Sequence, residues 1–337
     1  MLEQIFNYAE RLNADIMVFD GYLYNNRLKK VFLPTWILEQ KYLDYAPEKE
    51  AFSAEEFSKY IFNFTAPSSW NKLYKRSFIC KHNLQFQNTK RVNDLFFTYA
   101  ALSRAERIGI LNERLLYYRY DNPESLQSTR EKSIYDFYEA LTKLKTYLQL
   151  NNLYHRYEQS FVNLSLNRCI KVLSLTQDID IQKDLFNRLK KDIFLNLGII
   201  PDREEEYFYF DSYNDYMKIN SHTYEEYLSL TKPYYYELSK LISENNNIII
   251  YGAGINAVRL INEFSLDKKE DKSVDIVVSD KKSNPDSING IKVYDRVALE
   301  DYDRNSLVII AMRKESQKEV REYLTSLQYN KIYGYSK

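Results

Sequence analysis

The stretch "NIIIYGAGINAVRLINEF", residues 247–264, permits few structures. A run of β-branched residues is followed at once by Gly252-x-Gly254-x-x-Ala257 and then by apolar residues at helical spacing. A strand apolar on both faces, a glycine turn and a helix together open a parallel βαβ unit. The pattern then recurs: "VDIVVSD" and "SLVIIAM" read as strands, "QKEVREYLTSLQ" as a helix and "KIYGY" as a last short strand. Residues 246–337 are therefore expected to form a small, doubly wound parallel sheet.

Gly252 and Gly254 let the chain turn tightly and let a phosphate approach the free N–H groups of a helix start, over the small Ala257. Asp280 closes the second strand, where a ribose hydroxyl could be held. A nucleotide in this Rossmann-like C-terminal domain is thus permitted. The same turn serves equally well as plain strand-to-helix packing. No companion acid or base lies in the segment, so an oxidoreductase or epimerase built on it gains no support.

Upstream the pattern is different. In residues 127–245, "SIYDFYEALTKLKTYLQLNN", "YHRYEQSFVNLSLNRCIKVLSL" and "DIQKDLFNRLKKDIFLNLG" carry apolar residues three and four apart, which reads as packing helices, the last ending on Gly198. "PDREEEYFYFDSYNDY" breaks the period before a further helical stretch in which Pro233 should end or kink a turn. Residues 1–126 mix helix and strand, opening on a helix through Leu2, Ile5, Phe6, Ala9 and Leu12 and passing to the strand "ADIMVFDGYLYN". The expected class is α/β in three parts, 1–126, 127–245 and 246–337.

Several functions are disfavoured by composition. Lys plus Arg and Asp plus Glu both number 47, so no overall field draws the chain to nucleic acid. Cys80 and Cys169 stand far apart, and His82, His155 and His222 are equally scattered, which gives no disulfide framework and no zinc pattern. No apolar run reaches the roughly 18 residues of a membrane span. A reduced, cytoplasmic protein is expected. The 32 tyrosines, spread along the whole chain, read as filling for helix faces and half-buried positions rather than as a glycan-stacking surface.

The remaining candidate site lies in "SSWNKLYKRSFICKHNLQFQ", residues 68–87, and "RVNDLFFTYAALSRAERIG", residues 91–109. Trp70, Lys72, Tyr74, Lys75 and Arg76 set aromatic and cationic groups beside a loop that leads to Asp94, a combination suited to a sugar and its phosphates. Asn93 or Asp94 can cap the helix that begins near Leu95. A carboxylate in that position also stays ionised, as a general base must. Cap and base therefore both remain open.

The segments "WNKLYKRSFICKHNLQFQ", "VNDLFFTYAALSRAERIG" and "LLYYRYDNPESLQ", in this order and spacing, resemble the second half of a bacterial family 2 glycosyltransferase domain. The resemblance covers residues 1 to about 126. It implies a GT-A fold and transfer of a sugar, with inversion, from a nucleotide sugar to a glycan acceptor, commonly in capsule or lipopolysaccharide synthesis. By position it gives Asp94 the role of base. Asn93 stands where the family usually has Glu. Trp70, Asn71 and Lys72 match the loop bordering donor and acceptor, and Tyr118 and Arg119 match the segment that closes on the diphosphate.

One part of the family pattern is missing from this sequence. The resemblance implies an Asp-x-Asp motif holding Mg or Mn on the diphosphate, whereas the D-x-D strings here, at 178–180 and 301–303, lie in the helical segment and the tail. The expectation is an incomplete GT-A-like domain whose donor and metal half is elsewhere, with a parallel sheet edge left open to a homodimer or a separate N-terminal half. Peripheral contact with the inner face of the membrane is compatible with this reading. The alternative is a non-catalytic nucleotide- or sugar-nucleotide-binding assembly subunit working through the C-terminal domain.

Overall fold

Ile16, Met17, Val18 and Phe19 are all buried, on both faces of their strand, and this makes them the centre of the N-terminal sheet. The structure, a computed structural model, describes residues 1–120, 133–210 and 212–336. It opens on α1 (Leu2–Leu12), whose Ile5 and Leu12 pack on Met17, Phe19 and Leu111. The central strand β1 (Ile16–Asn25) follows, then β2 (Lys30–Phe32), α2 (Gln40–Leu43), β3 (Ala51–Phe52), β4 (Lys72–Tyr74), α3 (Arg76–Lys81), α4 (Asn93–Leu102) and β5 (Ile108–Tyr120).

The sheet runs β2-β1-β5-β3, with β4 also on β1. β1 and β5 are parallel, from Ile16 opposite Ile108 to Asn25 opposite Tyr120. β1 has 10 residues and β5 has 13, and the surplus is taken up in irregularities at Phe19, Asp20 and Gly21. Such bulges re-aim side chains; here they precede Tyr118 and Arg119. Among the described residues the outer side of β5 is paired with β3 only at Ile108 and Gly109, whereas the other side of the sheet, at β1, is covered. On that side β1 meets β4 over Ile16–Val18 and β2 over Leu23–Asn25, both antiparallel and three residues long. Short edge strands of this kind offer little template for edge pairing.

The helices follow: α5 (Asp136–Leu150), α6 (Tyr154–Leu175), α7 (Ile179–Arg188), α8 (Phe194–Leu197), α9 (Ser212–Asn220), α10 (Tyr224–Thr231) and α11 (Pro233–Glu244). The run expected to be one helix as far as Gly198 is α7 and α8 joined by a π turn at Leu189–Ile193, and it does end at Gly198. Thr223 and Glu226 form a capping box at α10, and Pro233 occupies the first turn of α11, where its missing N–H costs nothing. Two compact units result, Met1–Val172 with Arg188–Tyr216, and Leu173–Asn187 with Met217–Lys337. The helical segment is divided between them, and the boundary expected at 126/127 lies outside the described residues.

The second unit contains β6 (Asn247–Tyr251), α12 (Ile255–Glu263), β7 (Ser273–Val278), β8 (Ser287–Ile288), β9 (Ile291–Asp295), β10 (Leu307–Ala311), α13 (Lys314–Ser326) and β11 (Ile332–Tyr335). Its sheet order is β11-β10-β6-β7-β9-β8, parallel except for the β8–β9 pair. Ala257, Leu260 and Ile261 of α12 pack on the face of Ile248 and Ile250. Val320 and Leu324 of α13 pack on the other face, with Ile249, Tyr251, Val308 and Ile310. This is the doubly wound arrangement that the alternating pattern implies. The β8–β9 hairpin is an addition, because its short strands carry no long apolar run.

Gly252 has φ of 112°, and a Cβ placed on it would lie 3.0 Å from Met312 Cγ and 3.1 Å from the Ala311 carbonyl oxygen. Gly252→Ala is therefore expected to destabilise the second unit by more than about 1 kcal/mol, seen as a lower urea midpoint. Gly254→Ala, whose new Cβ finds no atom within 4 Å, should leave the midpoint near wild type.

Candidate functional site

The first unit gathers its chemistry around a buried ammonium. Lys72 Nζ donates to Ala66 O at 2.8 Å, Asn71 Oδ1 at 2.8 Å, Ser68 O at 2.9 Å and Thr65 Oγ1 at 3.2 Å. Three N–H groups share four oxygens, so the chain from 65 to 72 closes on this one cation. Burial pushes the Lys72 ammonium well below its ordinary pKa, and the Asp94 carboxylate opposes that shift. Asn71, fully buried, donates from Nδ2 to Phe19 O at 3.1 Å and to Thr65 Oγ1 at 3.2 Å. Thr65 in turn donates to Ile37 O at 3.0 Å and accepts from Tyr99 of α4 at its carbonyl, 3.2 Å away. Lys72 and Asn71 thus hold the loop and turn no free polar atom outward.

Trp70 is the side chain this loop presents. It stacks on Tyr118 of β5, with ring centres 5.1 Å apart and planes at 12°. Trp36 stands edge-on to both rings, at 6.5 Å from Trp70 and 6.4 Å from Tyr118. Gly21 lies close beneath the platform, and a Cβ there would lie 3.3 Å from Trp70 Cζ3 and from Leu116 O, a tight fit. Half-buried aromatic faces of this kind accept the apolar face of a sugar or another flat ligand. Lys171 of α6 lies 5.8 Å from the centre of the Trp36 ring, and Arg119 on β5 is exposed.

Asp94 is not the cap of α4. Val92 holds that position, in the left-handed region at φ 55°, with no side-chain capping bond; Asn93 is exposed in the first turn and Asp94 follows it. The expectation that Asn93 or Asp94 caps the helix is corrected accordingly, since the left-handed Val92 starts the helix sooner. The Asp94 carboxylate still accepts from the main-chain N–H groups of Asp94 and Leu95. Burial raises its pKa above the ordinary carboxylate value, and Arg168 and then Lys72 oppose the rise. Raised but attended by two cations, the group is both basic and able to ionise, the combination a general base requires.

Arg168 went unrecognised in the sequence. It lies on α6 three residues before Lys171, so the two cations share a helix face, and Lys171 also acts on the half-buried Glu39, whose pKa burial raises. The signal available was a pair of cations at i and i+3 within an otherwise packing helix. The D-x-D strings are structural. Asp178 accepts from the N–H groups of Asp180 and Ile181 at 3.0 Å, and Asp303 from that of Asn305 at 2.9 Å. Among the described residues no group of three or more His, Cys, Asp or Glu could hold a metal ion.

In the second unit Gly252, Gly254 and Ala257 lie on one turn, at the end of β6 and the start of α12, and Asp280 follows the neighbouring strand β7. Asp280 accepts from Ser283 Oγ at 2.6 Å and Lys282 N at 3.0 Å, and these bonds hold its carboxyl below the usual range.

No known family model matches the chain. It is similar to the cholesterol galactosyltransferase of Borreliella burgdorferi (strain ATCC 35210 / DSM 4680 / CIP 102532 / B31), with 27% identity over 175 residues covering 48% of this chain and 46% of that one. The chain therefore spans about half the length of that curated relative. Among solved structures, S. aureus TarS 1-349 in complex with UDP-GlcNAc is 15% identical over 59% of this chain and 62% of its own, at a TM-score of 0.34. S. aureus TarS is 14% identical over 59% of this chain and 37% of its own, at a TM-score of 0.27. Scores this low carry no argument about ligand or chemistry. No helix among the described residues is long and apolar enough to cross a membrane.

The raised pKa of Asp94 has a consequence for stability. The folded chain holds this proton more tightly than the unfolded chain. Ionisation therefore costs stability as pH rises from the ordinary carboxylate range through the folded value, and the cost is absent below that range. Asp94→Asn removes it, so the variant should melt higher than wild type at neutral pH, with the difference vanishing in acid. An equal or lower Tm at neutral pH would mean that the attraction of Arg168 and Lys72 outweighs burial.

Proposed function

We propose that the chain carries the acceptor side of a glycosyl-transfer site, with Asp94 as the base. The observation that supports this reading is a half-buried carboxylate whose pKa burial raises and which feels the charges of Arg168 and Lys72, where Lys72 lies two residues from Trp70 of the Trp70–Tyr118 platform. The partial likeness to a galactosyltransferase points the same way. In this reading an acceptor hydroxyl rests against the aromatic platform and loses its proton to Asp94. Its oxygen bonds to the anomeric carbon of a nucleotide sugar as the bond to the nucleoside diphosphate breaks, with inversion.

The donor side is read as belonging to residues outside those gathered around Asp94. Any Mg or Mn ion on the diphosphate would be held there, and the exposed Arg119, by its likeness to the family's segment, would meet the leaving group's charge. The acceptor is read as a glycan of a bacterial surface polysaccharide, handled on the cytoplasmic side of the membrane.

The test uses the protein as its own cell makes it, assayed for transfer from sugar nucleotides. Asp94→Asn should lower turnover by about 10²–10⁴-fold, the usual contribution of a general base, while nucleotide-sugar binding persists. Trp70→Ala should raise the acceptor KM more than it lowers kcat. Transfer that survives Asp94→Asn unchanged would remove Asp94 from the reaction.

A further inference from the structure

The hairpin that joins β1 to β2 takes no part in the core of the first unit. Lys30, Val31 and Phe32 of β2 are all exposed, and successive strand residues point to opposite faces, so this strand is uncovered on both sides. Leu28, in the turn, is 57% exposed, and Leu33, just past β2, is 65% exposed. Four of the six residues from Leu28 to Leu33 are thus large, apolar and in contact with solvent. A cluster of that kind marks a surface that meets something other than water.

The same stretch is basic. From Gly21 to Leu38 the sequence contains Arg27, Lys29 and Lys30 and no Asp or Glu, and all three cations are exposed. Leu28 therefore has a cation on each side of it in the turn. The turn is also set in advance: the buried Asn25 accepts at Oδ1 from Leu28 N at 2.7 Å and from Arg27 N at 3.0 Å, and Lys29 lies in the left-handed region at φ 54°. A tip already held in one shape has less to lose in order on docking. Aromatic rings surround the strands behind it. Phe32 stands edge-on to Tyr120 with ring centres 6.3 Å apart, and Tyr22 stacks at 4.8 Å on Tyr117, which is 63% exposed.

This combination selects one kind of partner. A three-residue edge strand offers little to another β-strand. Cations flanking an apolar side chain, with aromatic rings behind them, suit the boundary of a negatively charged membrane. There Lys and Arg meet lipid phosphates, apolar side chains enter the edge of the acyl region, and aromatic rings rest among the headgroups.

We propose that the β1–β2 hairpin docks the chain on an anionic lipid bilayer, with Leu28 entering the acyl boundary and Arg27, Lys29 and Lys30 on the lipid phosphates. The strands that carry the hairpin also lead to the aromatic platform, because Leu23 lies opposite Tyr118. Docking would set that platform on the order of 10 Å from the tip, the length of a few strand residues. The proposal does not depend on the role given to Asp94.

The test is flotation of the full chain with vesicles of phosphatidylcholine and phosphatidylglycerol in equal parts, beside vesicles of phosphatidylcholine alone. The chain should float with the mixed vesicles and not with the neutral ones, and about 1 M salt should weaken the binding. Replacing the three cations together, Arg27→Gln, Lys29→Gln and Lys30→Gln, should lower partitioning by about a hundredfold. Leu28→Ser should lower it by about tenfold or more, whereas Lys29→Arg with Lys30→Arg should bind like wild type. All these side chains are exposed, so every variant should keep the wild-type Tm. The proposal is overturned if the wild-type chain floats with neither vesicle or equally with both, or if the triple Gln variant floats as well as wild type. Unchanged binding in Leu28→Ser would overturn it too, by reducing the contact to charge alone. Sedimentation equilibrium without lipid covers the remaining occupant: a dimer that Leu28→Ser dissociates would give the hairpin to a second copy of the chain and overturn the membrane assignment.

Discussion

The buried ammonium of Lys72 fixes the geometry on which the N-terminal site depends. Taking such a group out of water costs on the order of several kcal/mol unless hydrogen bonds replace its hydration. Here the replacement comes from Thr65, Ala66, Ser68 and Asn71, all drawn to one atom. The segment that contains them is left with little conformational freedom. Thr65 passes the constraint to Ile37 and to Tyr99 of α4. Asn71 passes it to Phe19 in the central strand. Strand, loop and helix are thereby tied together, and Asp94 is carried in the first turn of that helix.

The electrostatics of the carboxylate depend on the same arrangement. Burial alone would favour a protonated, inert acid. Arg168, on α6, and Lys72, at the start of β4, counter this. The helical segment is therefore more than packing, since its Arg168 and Lys171 bring charge to the carboxylates at Asp94 and Glu39. The aromatic platform rests on a similar cooperation, because Trp70 stacks on Tyr118 close over Gly21, where a side chain would fit only tightly.

The second unit is organised by its sheet. The order in which its strands lie and the opposite faces taken by α12 and α13 are an arrangement that no single segment contains. Gly252 allows the close approach of two loops, and Gly254 leaves space over the helix start. The two glycines of one motif thus have different tasks, one in packing and one in access.

The sequence by itself determined what depends on near neighbours along the chain. The α/β alternation of residues 246–337, the helices from 136 to 244, the strand around Val18 and the prominence of Asp94 and Trp70 all follow from local period and residue type. Tertiary structure decided what depends on distance through space. It placed Val92 rather than Asp94 at the cap, turned Lys72 inward, and brought Arg168 to the carboxylate from some seventy positions away. Periodicity is written into every few residues. Burial and charge pairing are set by which remote segments the packed chain brings together, and no local pattern encodes that.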